Sequence, residues 1–581
     1  MKKSILSLSA VALAGMFVAS TASAVAIFDY NAPNRVYPQY RIDKMGAILS
    51  GTGATKLEQH PAGTGHILLT PYYNAQGSNA TLINIVNTDV FNGKAIKVRF
   101  RGASNSDDLQ DFTVFLSPGD VWSGNVSQHG GQNGTGLAQL SMSPDDVSCM
   151  FPAAETFPKD FVTGRLDNLN QPAEVKAALT REGYVEVLNM ADIPPFKSDG
   201  VTPNPLYTAI KHVNGKAPCT GTALDRLYNT TEVNYAGNES LYIDNWGLAF
   251  PTGNLMGSWT IMNQQQMGTF SGAQTAMIAT TADMGVNGTV GTNDAGIAFS
   301  PQVQLPYGGV NNPGEIDLRT ADPILVTGDA TLATGGPNNA VSRPNGASSG
   351  ASIETPLWFD LPDLSTPILS NLDSTAHAPT DQVNQLTRTL TKTNVQNEWI
   401  VSNAGVQFDT DWVISQPTRR YHVAVDYANS RLVFGAVTPT VAANRFIGYN
   451  PVALKTSTGI GPVACLDYGL LLGDRQETFA TQGPVVSPGT IKPTCGEVFT
   501  MQFSGTSTLD ASVTATSFTD VIQPLVASGA GWGQLTTTGA GGAEGLPTLG
   551  FAAIQFSNNN TGAIYNLTFP HRWASRTVDS Q

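Results

Sequence analysis

The stretch "GHILLTPYYNAQGSNATLINIVNTDVFNGKAIKVRFRG", residues 65–102, decides the fold class. It holds three apolar runs separated by polar, glycine-containing turns. In the last run Ile96, Val98 and Phe100 alternate with Lys97, Arg99 and Arg101. A period of two belongs to a strand with one buried face and one wet face. Asn92 and Gly93 both tolerate positive φ, and they predict a tight hairpin between the second and third strands. The next stretch, "DFTVFLSPGDVW", continues the pattern with Phe112, Val114 and Leu116 on one face and a Pro118-Gly119 turn.

Strand character recurs in "EGYVEVLNM" (182–190), "GSWTIMNQ" (257–264), "RLVFGAV" (431–437), "EVFTMQFSG" (497–505) and "LGFAAIQFSN" (549–558). Helical spacing is confined to two segments. Residues 172–183 read as a short helix capped by Gly183, and 380–393 carry Val383, Leu386 and Leu390 on one face. The expected fold is mainly β: two or more antiparallel, Ig-like β-sandwich domains with few short helices. The expected division is a signal peptide at 1–24, a β-sandwich domain at 25–235 and a β-rich domain at 236–581. Within the last, residues 280–352 form a Gly/Asn/Pro-rich excursion of long loops.

The chain opens "MKKSILSLSAVALAGMFVASTASA", with Lys2 and Lys3, an apolar run and Ala22-Ser23-Ala24. Those are the parts of a secretory signal peptide, with cleavage expected after Ala24. The apolar run is too short and broken for a membrane span, and no later segment has the length for one. The expected location is therefore exported, at the cell surface or outside it. Charged residues make up only 13% of the 581, and the net charge is −14. Nucleic acid needs a basic partner surface, so that class is excluded.

Cys149, Cys219, Cys465 and Cys495 are the four cysteines, and none falls in a CxxC motif. An even count in an exported chain reads as two disulfides, with three connectivities open. The local one, Cys149–Cys219 with Cys465–Cys495, is the expected pairing. Each loop so closed contributes about 4 kcal/mol in the chain-entropy estimate.

Three motifs invite a catalytic reading. Residues 409–426, "DTDWVISQPTRRYHVAVD", bring Asp411, Ser415, Arg419, Arg420 and His422 close in sequence. Alternation makes this strand–turn–strand, which does not converge a nucleophile, a base and an orienting acid. "GASSG" (346–350) matches G-x-S-x-G but lacks the strand before and the helix after Ser348. The seven histidines form no HxH, HxxxH or HExxH pattern. No catalytic residue is expected, and no cofactor beyond one candidate ion. Asp107, Asp108 and Asp111 share a loop with Asn105, and hard oxygen ligands of that kind suit Ca2+. A solvated acidic loop is the plainer reading.

Several segments taken together resemble a family of exported proteobacterial proteins labelled only "cell surface protein". They are residues 65–88, 94–124, "REGYVEVLNMADI", "AIKHVNGKAPC", "TDWVISQPTRRYHV", "LLGDRQE" and "GLPTLGFAAIQFSN". The resemblance runs in order over most of the mature chain, and 280–352 lies outside it. It implies a surface location and a mostly β chain, and it brings no catalytic residues. It also favours pairing of Cys149 with Cys219.

The expected function is thus a non-enzymatic surface or extracellular structural protein, self-associating into a layer or matrix. One alternative is an adhesin or glycan binder, in which Trp246, Trp358, Trp532 or Trp573 stacks on sugars. Another is a secreted hydrolase drawing acids from distant strands.

Overall fold

A computed structural model describes residues 56–104, 106, 108–130, 136–143, 146–163, 171–228, 239–249, 251–280, 297–298, 368–369, 389–402, 406–417, 424–426, 431–434, 453–457, 461–466, 468–482, 494–537, 545–558 and 560–574. The fold is mainly β, built from sheets whose pairings are antiparallel save one. The signal peptide, Ser348 and most of 280–352 lie outside the described residues.

The first pair of sheets uses thirteen strands. One sheet runs in the order β1 (Lys56–Gln59), β13 (Thr275–Thr280), β2 (Ile67–Asn74), β10 (Glu182–Ile193), β4 (Gly93–Gly102), β5 (Asp108–Leu116), β8 (Cys149–Phe151). The other runs β12 (Gly268–Ala273), β11 (Leu255–Asn263), β3 (Asn79–Asn87), β6 (Val121–Gln128), β7 (Ala138–Met142), β9 (Lys159–Asp160). Their inner faces meet through Val98, Phe100, Phe112 and Val187 on one side and Ile83, Ile85, Trp122 and Trp259 on the other.

A second pair follows. One sheet has the order β24 (Phe479–Gln482), β23 (Gly469–Asp474), β28 (Ala530–Thr536), β17 (Asn394–Ile400), β32 (Arg572–Ala574). The other has β27 (Ala515–Ser517), β26 (Val498–Gln502), β18 (Val406–Ser415), β30 (Leu549–Asn558), β31 (Ala563–Pro570). Trp399, Leu472 and Leu535 pack against Trp412, Phe499 and Met501 between them. Smaller pairings complete the list: β14 (Ile297–Ala298) with β15 (Ile368–Leu369), β16 (Thr391–Lys392) with β29 (Leu546–Pro547), β19 (Ala424–Asp426) with β20 (Arg431–Phe434). A three-stranded sheet joins β21 (Ala453–Ser457), β22 (Gly461–Leu466) and β25 (Thr494–Cys495).

The two pairs share apolar core. Strand β18 is buried on both faces: Trp412 and Ile414 point into the second pair, Val413 into the first. Trp259 of β11 meets Phe551 of β30 at 4.7 Å between ring centroids. The expected boundary near residue 235 falls outside the described residues, and β11 to β13, beyond it in sequence, hydrogen-bond into the first pair.

Three local expectations change. Asn92-Gly93 is not a hairpin turn, because β3 and β4 lie in different sheets. Neither residue has positive φ. Instead Asp89 Oδ1 accepts from the Phe91 and Asn92 backbone N–H groups, and the chain steps from one layer to the other. Gly93 is required for contact: a Cβ there would lie 2.6 Å from Ile210 Cδ1 and 2.9 Å from the Leu116 carbonyl oxygen.

The wet face of β4 is likewise buried. Lys97 pairs with Asp111 at 3.0 Å and Arg101 with Glu186 at 3.4 Å, and Arg99 is fully buried. The same side of the sheet is overlaid by helices Pro205–Ile210 and Thr222–Tyr228 through Leu206, Ile210, Leu224 and Leu227. A period of two records which side chains share a face, not what covers it. Acids on the neighbouring strands are what make buried cations tolerable.

The helix expected at 172–183 is Ala173–Leu179, and it ends before Gly183, which sits in β10. The segment 380–393 lies largely outside the described residues; of those described, Thr389 and Leu390 are helical and Thr391–Lys392 is strand. Among the described residues no helix is long and apolar enough to cross a membrane.

Candidate functional site

The second pair of sheets has an open corner. Strand β31 pairs with β30 as far as Pro570, opposite Phe551. Two residues later Arg572 pairs with Gln396 of β17, in the facing sheet. The chain therefore changes sheets at His571. Pairing of β32 with β17 stops at Gln396, so Asn397 and Glu398 border a gap instead of a strand. That gap is a cleft of about 500 Å3 lined by Asn397, Glu398, Phe569, Pro570, His571, Arg572 and Trp573.

Its floor is fixed. His571 is buried, and its Nε2 lies 2.9 Å from the Val413 carbonyl oxygen. A carbonyl only accepts, so Nε2 carries the proton and Nδ1 is the acceptor. Nδ1 takes a hydrogen bond of 2.9 Å from Asn397 Nδ2, which also donates to the Phe569 carbonyl at 2.8 Å. Burial pushes the imidazole down to about 4, outweighing the opposing Val413 bond. At neutral pH His571 is an uncharged bolt between the two sheets.

The walls are exposed. Trp573 keeps 52% of its surface and Phe569 is also exposed. The buried Lys392 ammonium sits 4.4 Å from the Trp573 ring centroid and hydrogen-bonds Gln59 Oε1 at 3.2 Å. Burial lowers that ammonium to about 8. It backs the indole by a cation–π contact. Glu398 is exposed at the rim. The arrangement offers flat apolar surface, one carboxylate and one guanidinium, while the Asn397 amide is spent on the floor and on the Glu398 N–H.

The residues singled out in the sequence are dispersed. Asp111 is drawn into β5 and committed to Lys97, Asp108 begins that strand, and Asp107 lies outside the described residues. Among the described residues no group of three His, Cys, Asp or Glu is placed to hold a metal ion. Cys149 is bonded to Cys219 and Cys465 to Cys495, the latter pair directly opposite each other in β22 and β25. Trp246 stacks under Arg226 at 3.8 Å, Trp532 is 40% exposed, and Trp358 lies outside the described residues, as does His422.

Asp411 and Ser415 are both fully buried, so neither meets a substrate. Asp411 Oδ2 accepts from Ser507 Oγ at 2.5 Å, Thr508 Oγ1 at 3.3 Å and the Leu509 N–H at 3.2 Å. The same 507–513 loop reaches the first pair of sheets. There the Ser512 and Val513 N–H groups donate to Glu182 Oε1, and Asn74 and Asn79 donate to the Leu509 carbonyl. Burial pushes the Asp411 carboxyl up to about 7 against the pull of those donors. This is an internal clasp between the two pairs of sheets.

Sequence reasoning named Trp532 and Trp573 but missed Glu398, Arg572, Phe569 and the floor pair. No local signal marks them, because the cleft arises where one strand passes between sheets. No family model, curated protein or solved structure matches this chain.

Proposed function

We propose that this is an exported, non-enzymatic surface or extracellular protein that binds carbohydrate in the corner cleft. The observation that carries the reading is the pairing of exposed Phe569 and Trp573 rings with exposed Glu398 and Arg572 in one cleft. A sugar ring has apolar C–H faces and a rim of hydroxyls. Aromatic rings cover the faces, while carboxylate and guanidinium groups pair with the rim. Clefts of this size with a few convergent polar groups are the usual form of a small-ligand site.

Hydrolysis is less well supported. Glycoside cleavage commonly uses two carboxyl groups astride the bond. Glu398 is the one carboxylate among the lining residues, and His571 has both nitrogens engaged. Export is supported by the Lys2–Ala24 segment, by the resemblance to surface proteins and by the two disulfides, which suit an oxidising compartment. Native protein should begin at Val25.

The test is binding of the full mature chain to a panel of immobilised neutral glycans, with Trp573→Ala and Glu398→Gln beside it. Loss of an aromatic anchor should weaken binding by about tenfold or more. Binding that survives both changes at full strength would remove the cleft from the reading.

Assembly into a layer has its own support. Strands β32 and β31 are edge strands of their sheets, and the Tyr565, Leu567 and Phe569 side chains of β31 are exposed. Light scattering over a concentration series tests this; a monomer throughout argues against it.

A further inference from the structure

Two residues of the cleft lining, Glu398 and Arg572, belong to the outer face of their sheet, and that face carries a separate aromatic group. In register, Phe479 lies opposite Gly473, Gly473 opposite Trp532, and Trp532 opposite Glu398. Paired residues share a face, so the four form one row across β24, β23, β28 and β17. The row spans three inter-strand spacings, about 14 Å. One end is the cleft rim at Glu398 and the other is an edge strand. Phe479 is 55% exposed and Trp532 40%.

Gly473 is what brings the two rings together. A Cβ there would lie 3.0 Å from both Phe479 Cε1 and Trp532 Nε1. Without it the rings close over the glycine, with centroids 6.3 Å apart and planes at 80°. Beside this row runs a polar one: Arg572 opposite Gln396 opposite Gln534, with Gln396 Nε2 donating to Gln534 Oε1 at 2.8 Å.

We propose that this face extends the cleft into a track for a linear, uncharged polysaccharide chain, with Phe479 and Trp532 as the distal subsite. The inference rests on the carbohydrate reading of the cleft and adds the shape of its ligand. A ring pair set at one end of a row about 14 Å long, with the cleft rim at the other, suits successive sugar rings of one chain better than a single terminal sugar. The parallel amides suit hydroxyl groups along its flank. Charge selects against acidic glycans: Glu398 and Arg572 offset each other on the face, and the chain as a whole carries −14.

The experiment is calorimetric titration of the full mature chain with neutral linear gluco-, manno- and chito-oligosaccharides, from disaccharide to hexasaccharide. Wild-type protein should bind the hexasaccharide of one series at least tenfold more tightly than its disaccharide. Trp532→Ala should abolish that advantage and leave disaccharide affinity unchanged, and Phe479→Ser should do so in part. Both side chains are exposed, and unchanged circular dichroism and melting establish folding for each variant. If affinity is independent of length while Trp573→Ala still weakens it, the track is wrong and the cleft stands. If no oligosaccharide binds, both are wrong.

Discussion

Replacing Asp411 with asparagine isolates the contribution of one buried acid to the pH dependence of the fold. In the folded chain its carboxyl is pushed up to about 7 by burial, from an ordinary value of 3.8. The unfolded chain ionises near the ordinary value. Between the two the native state binds more protons, so stability must fall as pH rises through that window. It is fully present below about pH 4 and lost above about pH 7. The gap corresponds to about 4 kcal/mol, an upper figure if water reaches the clasp. Asparagine resembles the protonated acid in shape: its oxygen can accept from Ser507, Thr508 and Leu509 at the Oδ2 position. Its NH2 then stands where the acid proton would be. Urea unfolding followed by tryptophan fluorescence, at fixed ionic strength, measures both proteins from about pH 4 to about pH 8. All other carboxyls cancel in the difference. The two should be about equally stable at the acid end. Asp411→Asn should then be more stable by about 2–4 kcal/mol at the alkaline end. Parallel curves would mean that Asp411 is ionised in the folded state and that the clasp holds a charge.

His571 has the opposite sign. Its folded value of about 4 lies below the ordinary 6.5, so its contribution is present above about pH 6.5 and lost as pH falls towards 4. Relative to His571→Gln, the wild type should lose up to about 3 kcal/mol over that range in the same denaturation series; equal slopes refute the neutral bolt. Gly93→Ala should destabilise by about 1–3 kcal/mol through the Ile210 and Leu116 contacts, whereas a free hairpin turn would be affected far less. Non-reducing peptide mapping should recover Cys149–Cys219 and Cys465–Cys495. Removing either pair should cost about 4 kcal/mol in the chain-entropy estimate, and a crossed pair would contradict the strand register at β22 and β25.

The internal clasp explains why the stretch that looked most catalytic is structural. Asp411, Val413 and Ser415 point away from Trp412 and Ile414, as alternation demands. In an isolated sandwich that outer face would be wet and a buried acid would have no place there. Here the first pair of sheets covers it. The 507–513 loop then supplies the donors that Asp411 and Glu182 need. Buried acids must be neutral or well bonded, and these take both routes.

Strand identity was legible from the sequence because both signals are local: side-chain alternation marks β4, β5 and β18, and short apolar, strand-prone runs mark β2, β10, β11, β26 and β30. The short helix after Pro172 was legible for the same reason. That there are two disulfides was legible in the even cysteine count, and the expected local pairing is the one the fold makes. Sheet membership was not legible. Asn92-Gly93 satisfies the chemistry of a hairpin, yet the chain crosses there to the other layer, a choice made by packing far away in sequence. Burial of Lys97, Arg99 and Arg101 was hidden as well, since a strand does not encode what will lie over its polar face. The cleft is the furthest from the sequence of all. It exists because His571 falls where the chain passes between sheets and β32 begins only at Arg572, opposite Gln396. Glu398, Phe569 and Trp573, up to 175 positions apart in the chain, meet only once that corner has formed.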